Sequence, residues 1–161
     1  MGDVASLLLG LLLGLVPAWF VRKRRLKAHW WALRAELNEC QEKAQTLLKD
    51  RIASPLYRLP TTAFTVSFPI VLADCAIDEE EARALTRCFG LIQDINRGLD
   101  NAAALYMASD PAKMHDEHNR SCLKARILIE GLDEAEPLVG PAAAVINRKI
   151  ALPWWKLAKI A

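Results

Sequence analysis

The sequence predicts an all-α protein, in which one N-terminal transmembrane helix continues into an antiparallel bundle of about three long helices plus a short C-terminal helical tail. Three observations lead to this fold class: an uncharged apolar run near the N-terminus, apolar residues at alternating steps of three and four, and helix-start signals separated by proline-containing stretches. The predicted segments are 4–21, 22–53, 54–77, 78–135 and 136–161.

Composition limits both the size of the protein and its partners. The 161 residues suffice for one modest domain, and 25% charged residues argue against disorder. A net charge of +2 is too balanced for a general nucleic-acid binder. The widely spaced cysteines contain no Cys-x-x-Cys pair, so we expect reduced, buried thiols; they are Cys40, Cys75, Cys88 and Cys122.

The apolar run from Val4 to Val21 is the clearest feature of the sequence. Its eighteen uncharged residues would form a helix about 27 Å long, close to the roughly 30 Å hydrocarbon core of a bilayer. No basic residue precedes it and four follow it, which is the reverse of a cleaved secretory signal. The positive-inside rule then predicts a single-pass inner-membrane protein with its N-terminus outside and its C-terminal domain in the cytoplasm.

The residues that follow the run are expected to contact the membrane surface. Trp19 suits the interface as part of an aromatic belt, and the basic side chains suit anionic headgroups better than nucleic acid; these are Arg22, Lys23, Arg24 and Arg25. Gly10 and Gly14 form a Gly-x-x-x-Gly pair that lets two transmembrane backbones approach. This pair is a candidate dimer seam for a homo-oligomer, although glycine is also common in membrane helices without such a role.

Segment 22–53 reads as a long amphipathic helix that ends before Ser54-Pro55. Its apolar stripe comprises Leu26, Trp30, Leu33, Leu37, Cys40, Ala44 and Leu47. Segment 54–77 contains three prolines, and we expect a connector with a short helix after Thr61 or Thr62 that breaks near Pro69.

Segment 78–135 predicts a helical hairpin. Asp78 and Glu81 form a capping-box pattern, and Asp110-Pro111 is an N-cap followed by proline at the first helical position. The inward stripe of the first helix is Leu85, Cys88, Phe89, Ile92, Ile95, Leu99, Ala102 and Tyr106, and that of the second is Met114, Cys122, Ala125, Ile129 and Leu132. We expect Pro137, Gly140 and Pro141 to break the chain after it.

The tail 136–161 is apolar and basic, with no acidic residue after Glu136. Two interpretations stay open: its aromatic and basic residues lie at the headgroups, or the tryptophans cap the core of the bundle. The membrane-interface candidates here are Trp154, Trp155, Lys156 and Lys159.

One cluster in the chain has residue types that bind metals. His115, His118 and Cys122 lie at steps of three and four, so a helix brings them to one face. Three ligands from one helix make an incomplete site, and no second His pair occurs elsewhere. We therefore predict no catalytic, cofactor or metal site.

Short motifs add a resemblance. Pro55-Leu56, Arg58-Leu59-Pro60-Thr61 and Ile95-Asn96-Arg97 occur within a region from Val4 to Asn101 that resembles a recurrent type of bacterial single-pass membrane protein. That group has a basic patch and a cytoplasmic helical domain. The resemblance implies no activity and no catalytic residues.

These observations lead to two expected functions. The first is a membrane-anchored scaffold or protein-interaction module without catalytic activity, with anionic lipid and an unknown protein as partners. The alternative is a membrane-active effector, such as a small toxin or holin-like protein, that uses its Trp/Lys tail. A third hypothesis is a metal-dependent enzyme or sensor built on His115, His118 and Cys122.

Overall fold

A computed structural model of the chain describes residues 2–50, 57–75, 77–131 and 136–153, with the side chains of 2–9, 11–19 and 50 excluded. The described residues form five helices and no strand-containing sheet: α1 (Gly2–Asp50), α2 (Thr62–Asp74), α3 (Glu79–Met107), α4 (Pro111–Glu130) and α5 (Val139–Ala151). The all-α prediction is confirmed. The bundle contains two short helices, α2 and α5, in addition to the long ones.

Helix α1 forms the centre of the bundle. Every residue of its predicted stripe is buried, from Leu26 at 1% exposure to Leu47 at 0%. Helices α2, α4 and α5 all pack against α1. The alternating three- and four-residue spacing therefore identified the buried face of α1 correctly. An apolar stripe of this kind is wide enough for one helix to contact several neighbours.

Helix α2 runs antiparallel to residues 22–36 of α1. Its first turn contacts Glu36, and its last residue, Asp74, forms an ion pair with Arg22. Between these ends, Ser67 lies 3.0 Å from Nδ1 of His29. The predicted break at Pro69 is wrong, because α2 continues through this proline. Pro69 is exposed, whereas its neighbours Phe68 and Val71 are buried, and their burial offsets the cost of the missing backbone hydrogen bond.

Helix α3 begins at the predicted capping box. The N–H of Glu81 donates to the Asp78 carboxylate, and the Asp78 N–H donates back to Glu81 Oε2. The inward stripe is confirmed from Leu85 to Ala102, but Tyr106 is 61% exposed. Tyr106 lies in the last turn of α3, where no described residue covers it.

Helix α4 begins at Asp110, which accepts from the Lys113 N–H, with Pro111 at the first position as predicted. Its inward face differs in part from the prediction. Ala125 is buried as predicted, and Leu132 lies outside the described residues. His118, Ser121 and Leu128 are also buried, whereas Met114, Cys122 and Ile129 are only half-buried. The close approach of α4 to Gly98 on α3 explains this rotation, because Ser121 rather than Cys122 faces that glycine.

Helix α5 packs against α1 and α3 and corrects part of the predicted break. Pro137 precedes the helix, as predicted. Gly140 and Pro141 lie inside its first turn, where proline has no intrahelical hydrogen bond to lose. Val145 and Ile146 contribute to the common core. Part of the predicted tail is therefore a helix of the bundle.

The membrane-spanning prediction falls mainly outside the described side chains. Within the part that is described, no helix has a stretch long and apolar enough to cross a bilayer. Of the predicted span 4–21, the description includes the side chains of Phe20 and Val21 and the position of Gly10.

Candidate membrane-proximal site

The basic segment of α1 has three exposed side chains and a buried one. Arg22, Arg24 and Arg25 are exposed, whereas Lys23 is only 4% exposed. Lys23 lies on the side of α1 that faces the bundle, next to the stripe that begins at Leu26. Of the predicted interface residues, the three arginines are therefore available to a surface, and Lys23 is largely covered.

Other helix ends converge at the level of this segment. The C-terminal end of α2 is held there by the Arg22–Asp74 ion pair. Glu81, six residues after Cys75, lies 2.6 Å from Lys149 Nζ, so the last turn of α5 lies at the same end. One end of the bundle therefore gathers the end of α2, the end of α5 and the basic segment of α1.

Glu81 fixes the last turn of α5 to the start of α3. Its carboxylate lies 2.7 Å from an Arg148 nitrogen and 2.6 Å from Lys149 Nζ. Glu81 and Lys149 are both more than nine-tenths buried. The last described residue, Pro153, follows Lys149 by four positions.

A groove of about 420 Å³ lies beside the basic segment, and we call it the α1 groove. Its described lining residues are Phe20, Lys23, Arg24, Lys27, Ala28 and Trp31. Phe20 is 50% exposed and Trp31 is 55% exposed, which is unusual for large aromatic side chains. The sequence indicated the basic residues. The position of Trp31 on the outer face could be found only from the orientation of α1 in the bundle.

The remaining interface and seam predictions are only partly tested. Gly10 is exposed, and a Cβ added there would meet no atom within 4 Å. The side chains at Gly14 and Trp19 lie outside the described residues. The tail residues also lie outside them, and these are Trp154, Trp155, Lys156 and Lys159.

The structure brings the predicted His/Cys cluster into a second groove of about 430 Å³. His118 Nε2 lies 3.5 Å from Cys122 Sγ, and His115 lines the same groove with Leu48 of α1. Burial and the nearby His115 lower the pKa of His118, which favours the neutral imidazole. Among the described residues, no three His, Cys, Asp or Glu side chains are arranged to hold a metal ion.

Buried polar contacts that the sequence did not indicate hold the connector. Glu36 is 6% exposed and accepts hydrogen bonds from the N–H groups of Ala63 (2.5 Å) and Phe64 (2.7 Å). Thr61 makes no side-chain capping bond, so Glu36 of α1 caps α2 instead. The only sequence signal was a glutamate directly beside the apolar stripe of α1.

All four cysteines are free thiols. Cys40, Cys75 and Cys88 are buried as predicted, and burial raises the pKa of Cys88 to about 12. The Cys40 thiol donates to the Pro60 carbonyl at 3.1 Å. These three thiols stay protonated and act as small core residues.

Comparisons with protein-family models, with curated proteins and with solved structures give no match for this chain. The resemblance inferred from the short motifs therefore stays an expectation.

Proposed function

We propose that the protein is a membrane-anchored scaffold, with a transmembrane helix at 4–21 and a helical bundle that does no chemistry and binds a protein partner at the cytoplasmic face. The observation that carries the proposal is the gathering of Arg22, Arg24 and Arg25 with the ends of α2 and α5 at one end of the bundle. That end follows directly after the eighteen-residue apolar run.

The continuous helix supports this arrangement. Helix α1 runs unbroken from Gly2 to Asp50, so it joins the apolar run rigidly to the bundle. A bundle built on such a helix would rest with its basic end on the headgroups, where each basic residue contributes roughly 1 kcal/mol on an anionic surface.

A homo-oligomer along α1 forms part of the proposal. The candidate seam is the pair Gly10 and Gly14, one helical turn apart in the apolar run. Gly10 is exposed, and a Cβ added there would meet no atom within 4 Å. Small residues four apart let two helix backbones approach closely. Replacing both Gly10 and Gly14 by Ile should lower the dimer fraction in chemical crosslinking, whereas Leu12→Ile should leave it unchanged.

A protein partner would find apolar surface on α2. Val66 is 56% exposed and Leu72 is 38% exposed, and the exposed Pro69 lies between them. Photo-crosslinking residues introduced at Val66 and Leu72 should capture one defined protein in living cells, and the same residue at the exposed Gln93 of α3 should not. Equal labelling from all three sites would contradict a specific scaffold surface.

Topology tests the anchor itself. A cytoplasm-only fluorescent reporter and a periplasm-only phosphatase reporter are fused separately to the C-terminus of the full-length protein. We expect fluorescence, no phosphatase activity, and uncleaved protein in the membrane fraction after carbonate washing. Replacing Arg22, Arg24 and Arg25 together by Gln should weaken this orientation. Phosphatase activity or a carbonate-soluble protein would overturn the proposal.

A further inference from the structure

We propose that the α1 groove binds one anionic phospholipid molecule, with its phosphate held by the basic residues and its upper acyl chain beside Phe20. This inference rests on the proposed membrane anchoring and names the lipid that the basic end of the bundle would recognise.

The basic side chains of the groove provide the phosphate contact. Arg24 and Lys27 lie one helical turn apart in the groove, and the largely covered Lys23 also lines it. Among the described residues no acidic side chain lines the groove. Arg25 lies outside the groove.

The apolar part of the groove explains why a lipid fits better than free phosphate. Phe20 belongs to the end of the apolar run, about one turn before the basic residues, and Trp31 lies one turn beyond Lys27. Ala28 is small and leaves space between them. From Phe20 to Trp31 the groove spans about 16 Å along the helix, enough for a headgroup and the start of an acyl chain. Half-exposed aromatic residues at this depth are typical of a lipid interface.

The test counts lipids retained by the full-length protein. Wild-type protein and variants are reconstituted in vesicles of equal parts phosphatidylcholine and phosphatidylglycerol. They are then extracted in mild detergent, and their masses are measured by native mass spectrometry. We expect one retained phosphatidylglycerol per wild-type chain and no retained phosphatidylcholine. Lys27→Gln and Trp31→Ala should each reduce retention about tenfold, which corresponds to about 1.4 kcal/mol.

Matched controls separate a defined groove from general attraction. Arg25→Gln removes the same charge outside the groove, and Tyr106→Ala removes an exposed aromatic residue far along the chain. Both should change retention less than twofold. Equal losses in Arg25→Gln and Lys27→Gln would overturn the proposal in favour of diffuse electrostatics.

Three further outcomes would also overturn it. If millimolar inorganic phosphate displaces the lipid, the groove binds only the phosphate group. If Trp31→Ala loses a dimer but keeps its lipid, the groove is occupied by a second copy of the chain. Absence of retained phosphatidylglycerol from membrane-inserted wild-type protein would leave the groove empty of lipid. Failure of the anchor is distinguishable, because the wild-type protein would then not float with the vesicles at all.

Discussion

Asn96 of α3 and Leu59 of the connector are joined by two hydrogen bonds of 2.8 Å each. The Leu59 N–H donates to Asn96 Oδ1, and Asn96 Nδ2 donates to the Leu59 carbonyl. One amide side chain thus satisfies both backbone groups of a residue that is 2% exposed. The ion pair between Arg58 and Asp100 lies one turn further along α3.

Replacing Asn96 by Ala should lower the free energy of unfolding by about 2 kcal/mol, because it leaves a buried N–H and a buried carbonyl without partners. The measurement is urea unfolding of the full-length protein in non-ionic detergent, followed by circular dichroism. Gln93→Ala on the exposed face of the same helix is the control and should change stability by less than about 0.5 kcal/mol. Equal effects would show that Asn96 does not hold the connector.

Replacing Glu36 by Gln should cost about 1 to 3 kcal/mol in the same assay. The carboxylate accepts from two N–H groups at the start of α2, whereas an amide offers one acceptor and presents its NH₂ group to the other donor. Glu39→Gln is the matched control, since Glu39 is exposed and pairs only with Lys43 at 3.0 Å. A Glu36→Gln variant as stable as Glu39→Gln would contradict the capping role.

Glu81→Gln should lower stability by about 3 kcal/mol, because the change removes a buried charge that lies against Lys149 and Arg148. Glu80→Gln, in the same first turn but exposed, should have little effect. Hydrogen exchange should also become faster in α5 than in α2, since Glu81 ties α5 to the bundle. Uniform acceleration over all helices would contradict that local role.

Local sequence patterns predicted the helices, but not the contacts that orient them. The stripe of α1 and the caps at Asp78 and Asp110 depend on neighbours within a few residues, so spacing and residue type were sufficient. Glu36 caps a helix 27 residues away, and that pairing has no local signal. Similarly, the exposure of Trp31 depends on which face of α1 the other helices cover. The spacing of residues around Trp31 does not predict that face.

Gly98 allows α3 and α4 to approach closely, because a Cβ there would lie 2.3 Å from Ser121 Oγ. A Cβ added at Gly90 would meet no atom within 4 Å. Gly90→Ala should therefore stabilise the protein by up to about 1 kcal/mol through helix propensity. Gly98→Ala should raise the free energy of unfolding by about 1 kcal/mol less than Gly90→Ala does. The reason is that Ser121 must rotate and lose its hydrogen bond to the Glu117 carbonyl. In a Ser121→Ala background the shortfall should disappear, and its persistence would contradict the steric explanation.

His118 makes the stability depend on pH in a defined direction. Its pKa lies below the ordinary value of 6.5 because the imidazole is buried and His115 is nearby, so the unfolded chain binds a proton before the folded one does. The free energy of unfolding should therefore fall as the pH decreases from about 7.5 through 6.5 toward the folded pKa. His118→Asn should reduce this slope, whereas His115→Asn should reduce it less, since His115 is exposed. Among the described residues that line its groove, the titratable groups beside His118 are His115, Cys122 and Arg126, and none of these is a carboxylate that would reverse the sign. Identical slopes in wild type and His118→Asn, measured by urea unfolding at each pH, would contradict the burial of a neutral imidazole.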